Sequence, residues 1–355
     1  MITVPTKWRT LFRCSKRPEQ QDLPSVTEQT PWRCALYDFG KATEGNIAYF
    51  NPTLYERADG AWLITRRSKP WSGFTYGFND LMAFKLDGNT PQYGIPVHIP
   101  SMLNGEHFED PRVVSGSKFL MLSMTNFIVF NGGRQWTGAH QILCEIDERW
   151  MGKKRFDPVF EGNGPTVSSN RVNQKNWLWF MHDSAPHLIY WTQPHTVVRF
   201  KGNLEMQEKY VTKETNPEWN FGEPRGGTPP VLIGDEYWTF FHSSLPWKGM
   251  GKLRHYHMGA YAFESKPPFR IMRMTSKPIL SGSKRDPWAD GKPLVVFPCG
   301  ALLKDGRWTV SLGVNDLCSA WIEIPHEKLE RLLKPSSIHE PPSPKPQPQD
   351  EAIFI

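Results

Sequence analysis

Cysteine is scarce. The chain holds five, Cys14, Cys34, Cys144, Cys299 and Cys318, widely spaced and odd in number. None stands in a CxxC pair, so zinc ribbons and dithiol redox motifs have no support. A reduced, cytoplasmic-type compartment is the expectation. Long apolar runs are also missing: no stretch approaches the roughly 18 residues a membrane helix needs. The N-terminus, MITVPTKWRTLFRCSKRPEQQ, is basic but lacks the apolar core of a secretory signal. Charge of one sign is modest, with 42 Lys and Arg against 36 Asp and Glu, a net +6. The basic residues are scattered and form no stripe for a phosphate backbone, so neither a nucleic-acid nor a membrane partner is expected. No GxGxxG follows a strand and no GxSxG occurs, which removes dinucleotide folds and serine-hydrolase elbows.

Aromatics and chain breakers are abundant: 21 Phe, 15 Trp and 10 Tyr, with 28 Gly and 32 Pro. That mixture argues against disorder and for many short strands joined by turns. One pattern recurs five times: an apolar or β-branched run, a Gly/Asp/Ser turn, then an aromatic strand. The copies are NPTLYERADGAWLITRRS (51–68), EDPRVVSGSKFLMLSM (109–124), QKNWLWFMHDSAPHLIYW (174–191), GGTPPVLIGDEYWTFFHSS (226–244) and VVFPCGALLKDGRWTVSLGVND (295–316). Each reads as a hairpin. LMAFKLD, HQILCEID and HTVVRF supply further strands between copies. A spacing of roughly 50–70 residues fits a four-stranded propeller blade with loops. The expected fold is therefore all-β, a five-bladed β-propeller over 31–334, with an irregular β-sandwich as the alternative. Residues 1–30 read as an N-terminal arm and 335–355, with HEPPSPKPQPQDE, as a Pro-rich tail. IPHEKLERLLK predicts one short C-terminal helix with Leu329, Leu332 and Leu333 on one face.

In a propeller the inner strands begin near the axis, so polar residues at the starts of the copies converge on one funnel. Those residues are Asn51, Glu109 with Asp110, Lys175 with Asn176, Arg225 with Thr228, and Asp316. The proline after Asp110 pushes it toward an extended backbone. Acid catalysis on a glycosidic bond would need its carboxyl raised toward neutrality, with Glu109 and Arg112 as tuners. The alternative is a turn in which Glu109 and Asp110 pair with Arg112. Lys175 and Asn176 in QKNW suit a phosphate or carboxylate, or form a solvated strand end. Trp177 and Trp179 read as core. The glycines of EPRGGTPP either let a ligand approach the backbone and turn N–H groups to an anion, or make a tight turn. In RHYHMGAY, alternation puts His255 and His257 on one face and Tyr256 on the other. No third ligand completes a metal site, and anion or sugar-hydroxyl binding suits these donors better.

FEDPR, RGGTPP, YHMGAY and VVFPCGALLKDGRWTVSLGVND together resemble glycoside hydrolase family 130, from about Asn51 to Asp316. That family holds β-mannoside phosphorylases and β-1,2-mannosidases, within the five-bladed propeller group of arabinanases, levansucrases and invertases. The resemblance implies that Asp110 is the catalytic acid and that the anomeric configuration inverts. It also implies that basic and polar residues hold phosphate on the opposite sugar face. Lys175, with His257 or Tyr256, falls at the anion positions, Asn51 and Asp316 fall at the sugar, and Arg112 would orient the acid or the sugar. From the convergence of the copies, Arg225 is read with the anion set and Glu109, Asn176 and Thr228 with the sugar set. QKNW and PHTVVRF depart from the pattern. No metal or cofactor is implied, only inorganic phosphate as a co-substrate.

An oxocarbenium-like transition state needs an acid at the leaving oxygen and a nucleophile opposite. Phosphate would call for cations, whereas water would call for a second carboxylate, for which Glu223 is the nearby candidate. Lys175, Arg225 and His257 tip the expectation toward a phosphorylase or glycosyl transferase on β-mannoside-like glycans. A hydrolase with the same acid and a non-catalytic glycan- or protein-binding propeller are the alternatives.

Overall fold

All five aromatic hairpins form. The computed structural model describes residues 33–37, 47–68, 79–88, 90–102, 106–118, 120–130, 135–159, 175–213, 219–247, 253–282 and 294–336. The expected arm (1–30) and the tail beyond residue 336 lie outside the described residues. Turn chemistry explains the tightest reversals. Asp305 and Gly306 have φ of 50° and 69°, and Asp183 and Ser184 have φ of 47° and 60°. Two consecutive left-handed residues make the two-residue turn whose twist matches the strands it joins.

Five antiparallel sheets follow one another along the chain. The first runs Ala48–Arg57, Gly60–Ser68, Asn79–Asp87, Thr90–Val97. The second runs Glu106–Val113, Met121–Phe130, Gln135–Ile146, Gly152–Phe156. The third runs Leu178–His182, Ala185–Trp191, His195–Phe200, Met206–Thr212. The fourth is built on the long pair Glu236–Pro246 and Arg254–Glu264. Arg225–Gly226 and Val231–Ile233 flank the first of these strands, and Ile271–Thr275 and Leu280–Ser281 flank the second. The fifth runs Val296–Lys304, Arg307–Val314, Cys318–Pro325. Arg33–Tyr37, from the other end of the chain, completes it by pairing with Cys318–Pro325.

The sheets bury both faces, which is why their strands read as apolar runs rather than strict alternations. In Leu81-Met82-Ala83-Phe84, Leu81 and Ala83 join a cluster with Leu122, Met124 and Ile142 of the second sheet. Met82 and Phe84 face the other way, toward a cluster that Leu302 of the fifth sheet joins. Val114 and Leu143 meet Trp177, Trp179 and Val198 between the second and third sheets. Phe180 and Val197 meet Phe241, Tyr261 and Phe263 between the third and fourth. Trp238 and Phe240 meet Trp308, Val310 and Leu312 between the fourth and fifth. Each sheet thus packs face to face on the next, and the last on the first, in an all-β, propeller-like arrangement.

One helix, His326–Leu332, is present among the described residues. Leu329 is fully buried in the core between the fourth and fifth sheets, together with Leu333. Leu332, expected on the same face, is instead 38% exposed. The helix ends there, and Leu333–Pro335 continues as a strand on Ile271–Thr275. Pro335, the first residue of the expected tail, pairs with Arg273. No helix among the described residues is long and apolar enough to cross a membrane.

Candidate active site

Three inner strands carry a break in register at the same place. The first sheet slips between Phe50 and Thr53, the second between Glu109 and Arg112, the fifth between Pro298 and Gly300. The bulged residues include Asn51-Pro52 and Asp110-Pro111. A proline cannot donate to a ladder, so it belongs at such a break. Asn51 and Asp110 take φ of 51° and 56°. Asn and Asp tolerate this left-handed region better than most residues. Asp110 is therefore not extended, as the following proline suggested; the bulge re-aims its side chain instead. Asn176 and Asp316, with φ of 69° and 51°, reach the same space from the third and fifth sheets.

These residues meet. Asn51 Nδ2 donates to Asp110 Oδ1 at 2.6 Å. Arg66 Nη1 lies 2.8 Å from Glu109 Oε2 and 3.6 Å from Asp110 Oδ1. Lys175 Nζ lies 3.4 Å from Glu109 Oε1. Arg66 is held in turn by Asn79, whose Oδ1 accepts from its Nε at 2.6 Å. Burial pushes the Asp110 carboxyl up, but Arg66, Lys175 and Arg112 with the Asn51 hydrogen bond outweigh it and hold it below the usual carboxylate range. At neutral pH Asp110 is an ionised carboxylate.

Around this cluster opens a cavity of about 470 Å³. Phe50, Asn51, Arg66 and Ser68 line it from the first sheet, Glu109 and Asp110 from the second, and Lys175 and Asn176 from the start of the third. The fourth sheet gives a polar wall of Glu223, Arg225, His242, Ser244, Arg254 and Tyr256. Alternation and pairing explain that wall. Tyr256 stands opposite Ser244, and Arg254 and His242 are each two residues along on the same face. Arg225 Nη2 lies 3.5 Å from Glu223 Oε2. Arg254 Nε donates to Ser244 Oγ at 2.8 Å. His242 is pushed down to about 3 by burial, with Arg112 and Arg225 adding to it. It stays neutral and offers the cavity hydrogen bonding, not charge. Val295, Phe297 and Asp316 close the ring from the fifth sheet. No His/Cys/Asp/Glu cluster able to hold a metal occurs among the described residues.

The model of glycoside hydrolase family 130, described as beta-1,4-mannooligosaccharide phosphorylase, matches residues 148–335, more than half of the chain. The chain belongs to glycoside hydrolase family 130. A beta-1,2-mannobiose phosphorylase from Thermoanaerobacter sp. (strain X514) is 23% identical over 333 residues, 90% of this chain and all of that one. A beta-1,2-mannobiose phosphorylase from Listeria innocua, solved with beta-1,2-mannobiose, superposes with a TM-score of 0.59 at 13% identity. That match covers 84% of this chain and 98% of that one. A GDP-mannose-dependent mannosyltransferase from Leishmania mexicana superposes with a TM-score of 0.53 at 12% identity, over 79% and 86% of the two chains. At such identities the structural matches speak for the fold.

In this family 130 chain, eight of the eleven residues singled out from the sequence line the one cavity: Asn51, Glu109, Asp110, Lys175, Asn176, Arg225, Tyr256 and Asp316. Three do not. Arg112 is sealed from solvent; its Nε donates to Gly227 O at 2.6 Å and its Nη1 to Asp110 O at 3.2 Å. It braces backbone and does not line the cavity, nor does its side chain pair with the two carboxylates in a turn. Thr228 is fully buried, and its Oγ1 accepts from Phe240 N at 3.1 Å. Gly226 and Gly227 make room for neighbouring protein, since a Cβ would strike Asn176 O or Phe240 O. RGGTPP is thus close-packed, its first two residues paired as a strand with His242 and Phe241. His257 faces away from the cavity with His255, their rings 4.3 Å apart, and its Nδ1 meets Ser281 Oγ at 2.7 Å. Burial, with His255 beside it, pushes His257 down to about 4, so it carries no charge for an anion.

The sequence reading passed over Arg66, His242, Ser244 and Phe297. The signal for Arg66 was TRRS: alternation sends Arg66 and Ser68 to the cavity and Arg67 to Asp80 on the other face. Gly313 is a further support, because a Cβ there would overlap the Asn51 side chain. We expect Gly313→Ala to displace Asn51 from Asp110 and lower kcat/KM about tenfold, the worth of one hydrogen bond to a charged group. Steady-state rates on a β-mannoside beside a thermal melt check this. An unchanged rate in a folded variant would remove Asn51 from the support of Asp110.

Proposed function

We propose that this family 130 chain is an inverting mannoside phosphorylase, with its five sheets as five blades and Asp110 as the general acid. A phosphate oxygen attacks the anomeric carbon, the glycosidic C–O bond breaks, and the leaving oxygen takes the Asp110 proton, directly or through a sugar hydroxyl. The products are a sugar 1-phosphate of inverted configuration and a glycan shorter by one unit. The observation that carries this reading is the fourth-sheet wall. Arg225, Arg254, Ser244 and Tyr256 offer donors to an anion, and the one carboxylate among them, Glu223, is paired with Arg225.

Charge does not decide the matter as simply as the sequence suggested. Four cations line the cavity, Arg66, Lys175, Arg225 and Arg254, against four carboxylates, Glu109, Asp110, Glu223 and Asp316. The cation excess disappears once His257 is removed and Arg66 is seen to serve Glu109. Balance has a use, however. Phosphate entering a neutral site adds negative charge near Asp110 and draws on the cations that keep it ionised, so it favours the protonated acid. Binding of the nucleophile thereby arms the acid. A hydrolase is the second reading, favoured by the position of Glu223 in the same wall, where it would activate water.

Product analysis on β-1,2- and β-1,4-manno-oligosaccharides, with and without inorganic phosphate, is the test. A sugar 1-phosphate formed only with phosphate is the expected result. Free mannose in both conditions would replace this reading with hydrolysis and make Glu223 the residue to change. Lys175→Ala is expected to raise the KM for phosphate about tenfold and that for the mannoside much less. Equal responses of the two would make Lys175 a partner of Glu109 alone.

A further inference from the structure

Beside the axial cavity lies a second depression of about 120 Å³ that the proposed reaction does not use. Lys175, Asn176 and Arg225 line both, so the two form one continuous surface. The rest of the depression is largely aromatic, with Trp177, Tyr190 and Trp191. Trp177 is buried and packs its ring 5.0 Å from that of Tyr190. The rings of Tyr190 and Trp191 lie 5.6 Å apart and 84° to each other, which makes a corner of two flat faces.

That corner needs an explanation. Tyr190 and Trp191 are sequence neighbours on a strand, and alternation would send them to opposite sides. The ladder to the next strand slips between Ile189 and Trp191, and this bulge lets both side chains line the same depression. Trp191 is 43% exposed, whereas Trp177, Trp179 and Trp238 are buried. A large ring is thus kept in water, at the end of a bulged strand, next to donors that also line the reaction cavity.

We infer that this corner is a subsite for a further sugar unit of the glycan whose end occupies the cavity. The inference rests on the reading of that cavity as a mannoside site. A pyranose ring presents a face of C–H groups and a rim of hydroxyls. Flat aromatic faces beside Lys175, Asn176 and Arg225 match both halves. The preferred substrates are then chains of at least three sugars, because a disaccharide confined to the cavity leaves Trp191 uncovered. Contact far from the reacting bond supplies binding energy that orients the bond to be broken.

The test is calorimetric binding of β-1,2-mannobiose and β-1,2-mannotriose, and of the β-1,4 pair, to the full chain without phosphate. In one linkage series the trisaccharide is expected to bind about tenfold tighter than the disaccharide, the scale of one well-covered aromatic contact. Trp191→Ala is expected to bring that ratio close to one, and Trp191→Phe, which keeps a flat ring, to restore most of it. A ratio near one for the wild type in both series, no binding of either chain, or a ratio that survives Trp191→Ala would overturn the subsite. Because phosphate is absent, failure to form a sugar 1-phosphate would sink the phosphorylase reading without touching this comparison.

Discussion

Replacing Asp110 with asparagine is expected to lower turnover about a thousandfold, within the range that a positioned acid contributes, and to leave the fold in place. Asparagine keeps an oxygen for Asn51 Nδ2, which now sits 2.6 Å from Asp110 Oδ1. It cannot deliver the proton. The pH profile gives a second handle. A general acid works only when protonated, so kcat/KM falls as pH rises through its pKa. The Asp110 carboxyl lies below the usual range, so the falling limb is expected at acidic pH when phosphate is scarce. Saturating phosphate is expected to move the limb upward. Stability runs the opposite way. A carboxyl lowered in the folded state adds stability above its unfolded pKa and loses it as pH falls through the folded value. The melting temperatures of wild type and Asp110→Asn should therefore differ most near neutrality and converge in acid. Full turnover in a folded Asp110→Asn variant would take the acid role from this residue.

The hairpins were legible because each carries its own turn chemistry and an apolar run on either side. The resemblance to family 130 was carried by FEDPR, RGGTPP and YHMGAY, the last two of which fall within the matched residues 148–335. What alternation could not supply was the axial geometry. Asp110 and Asn51 reach the cavity through bulges, where the period of two fails, so local rules gave the wrong backbone for Asp110. Arg112 and Thr228 sit next to lining residues, yet point into the protein. The partner of Arg112, Gly227 O, comes from the fourth sheet, which only the closed arrangement brings near, while Thr228 is held by Phe240 N within the fourth sheet itself. His257 was assigned to the anion from its motif, while alternation had already placed it opposite Tyr256. In TRRS alternation says that Arg66 and Arg67 face opposite ways, but which of them meets the cavity shows only once the neighbouring sheets are known.

Arg112→Ala is expected to destabilise the protein by about 3–5 kcal/mol, the scale on which removing one partner of a buried charged network acts. The side chain runs from the second sheet to the turn that opens the fourth. There its Nε is held at 2.6 Å by Gly227 O. Its Nη1 returns to the carbonyl of Asp110 at 3.2 Å, and its guanidinium lies 5.5 Å from the ring centre of Phe297 in the fifth sheet. Alanine would leave two buried carbonyls without donors and a void between three sheets. It would also leave Glu109 and Asp110 with one cation fewer. Arg112→Lys keeps the charge but loses the planar fork that serves two acceptors at once, so an intermediate loss is expected. Denaturant unfolding of the three proteins measures the order wild type, lysine, alanine. Activity should fall with stability in that series, because the carbonyl that Arg112 tethers belongs to Asp110 itself. An alanine variant within about 1 kcal/mol of wild type would fall below what an orphaned buried pair must cost. It would show that the turn at Gly227 and the bulge at Asp110 hold their shapes without this brace.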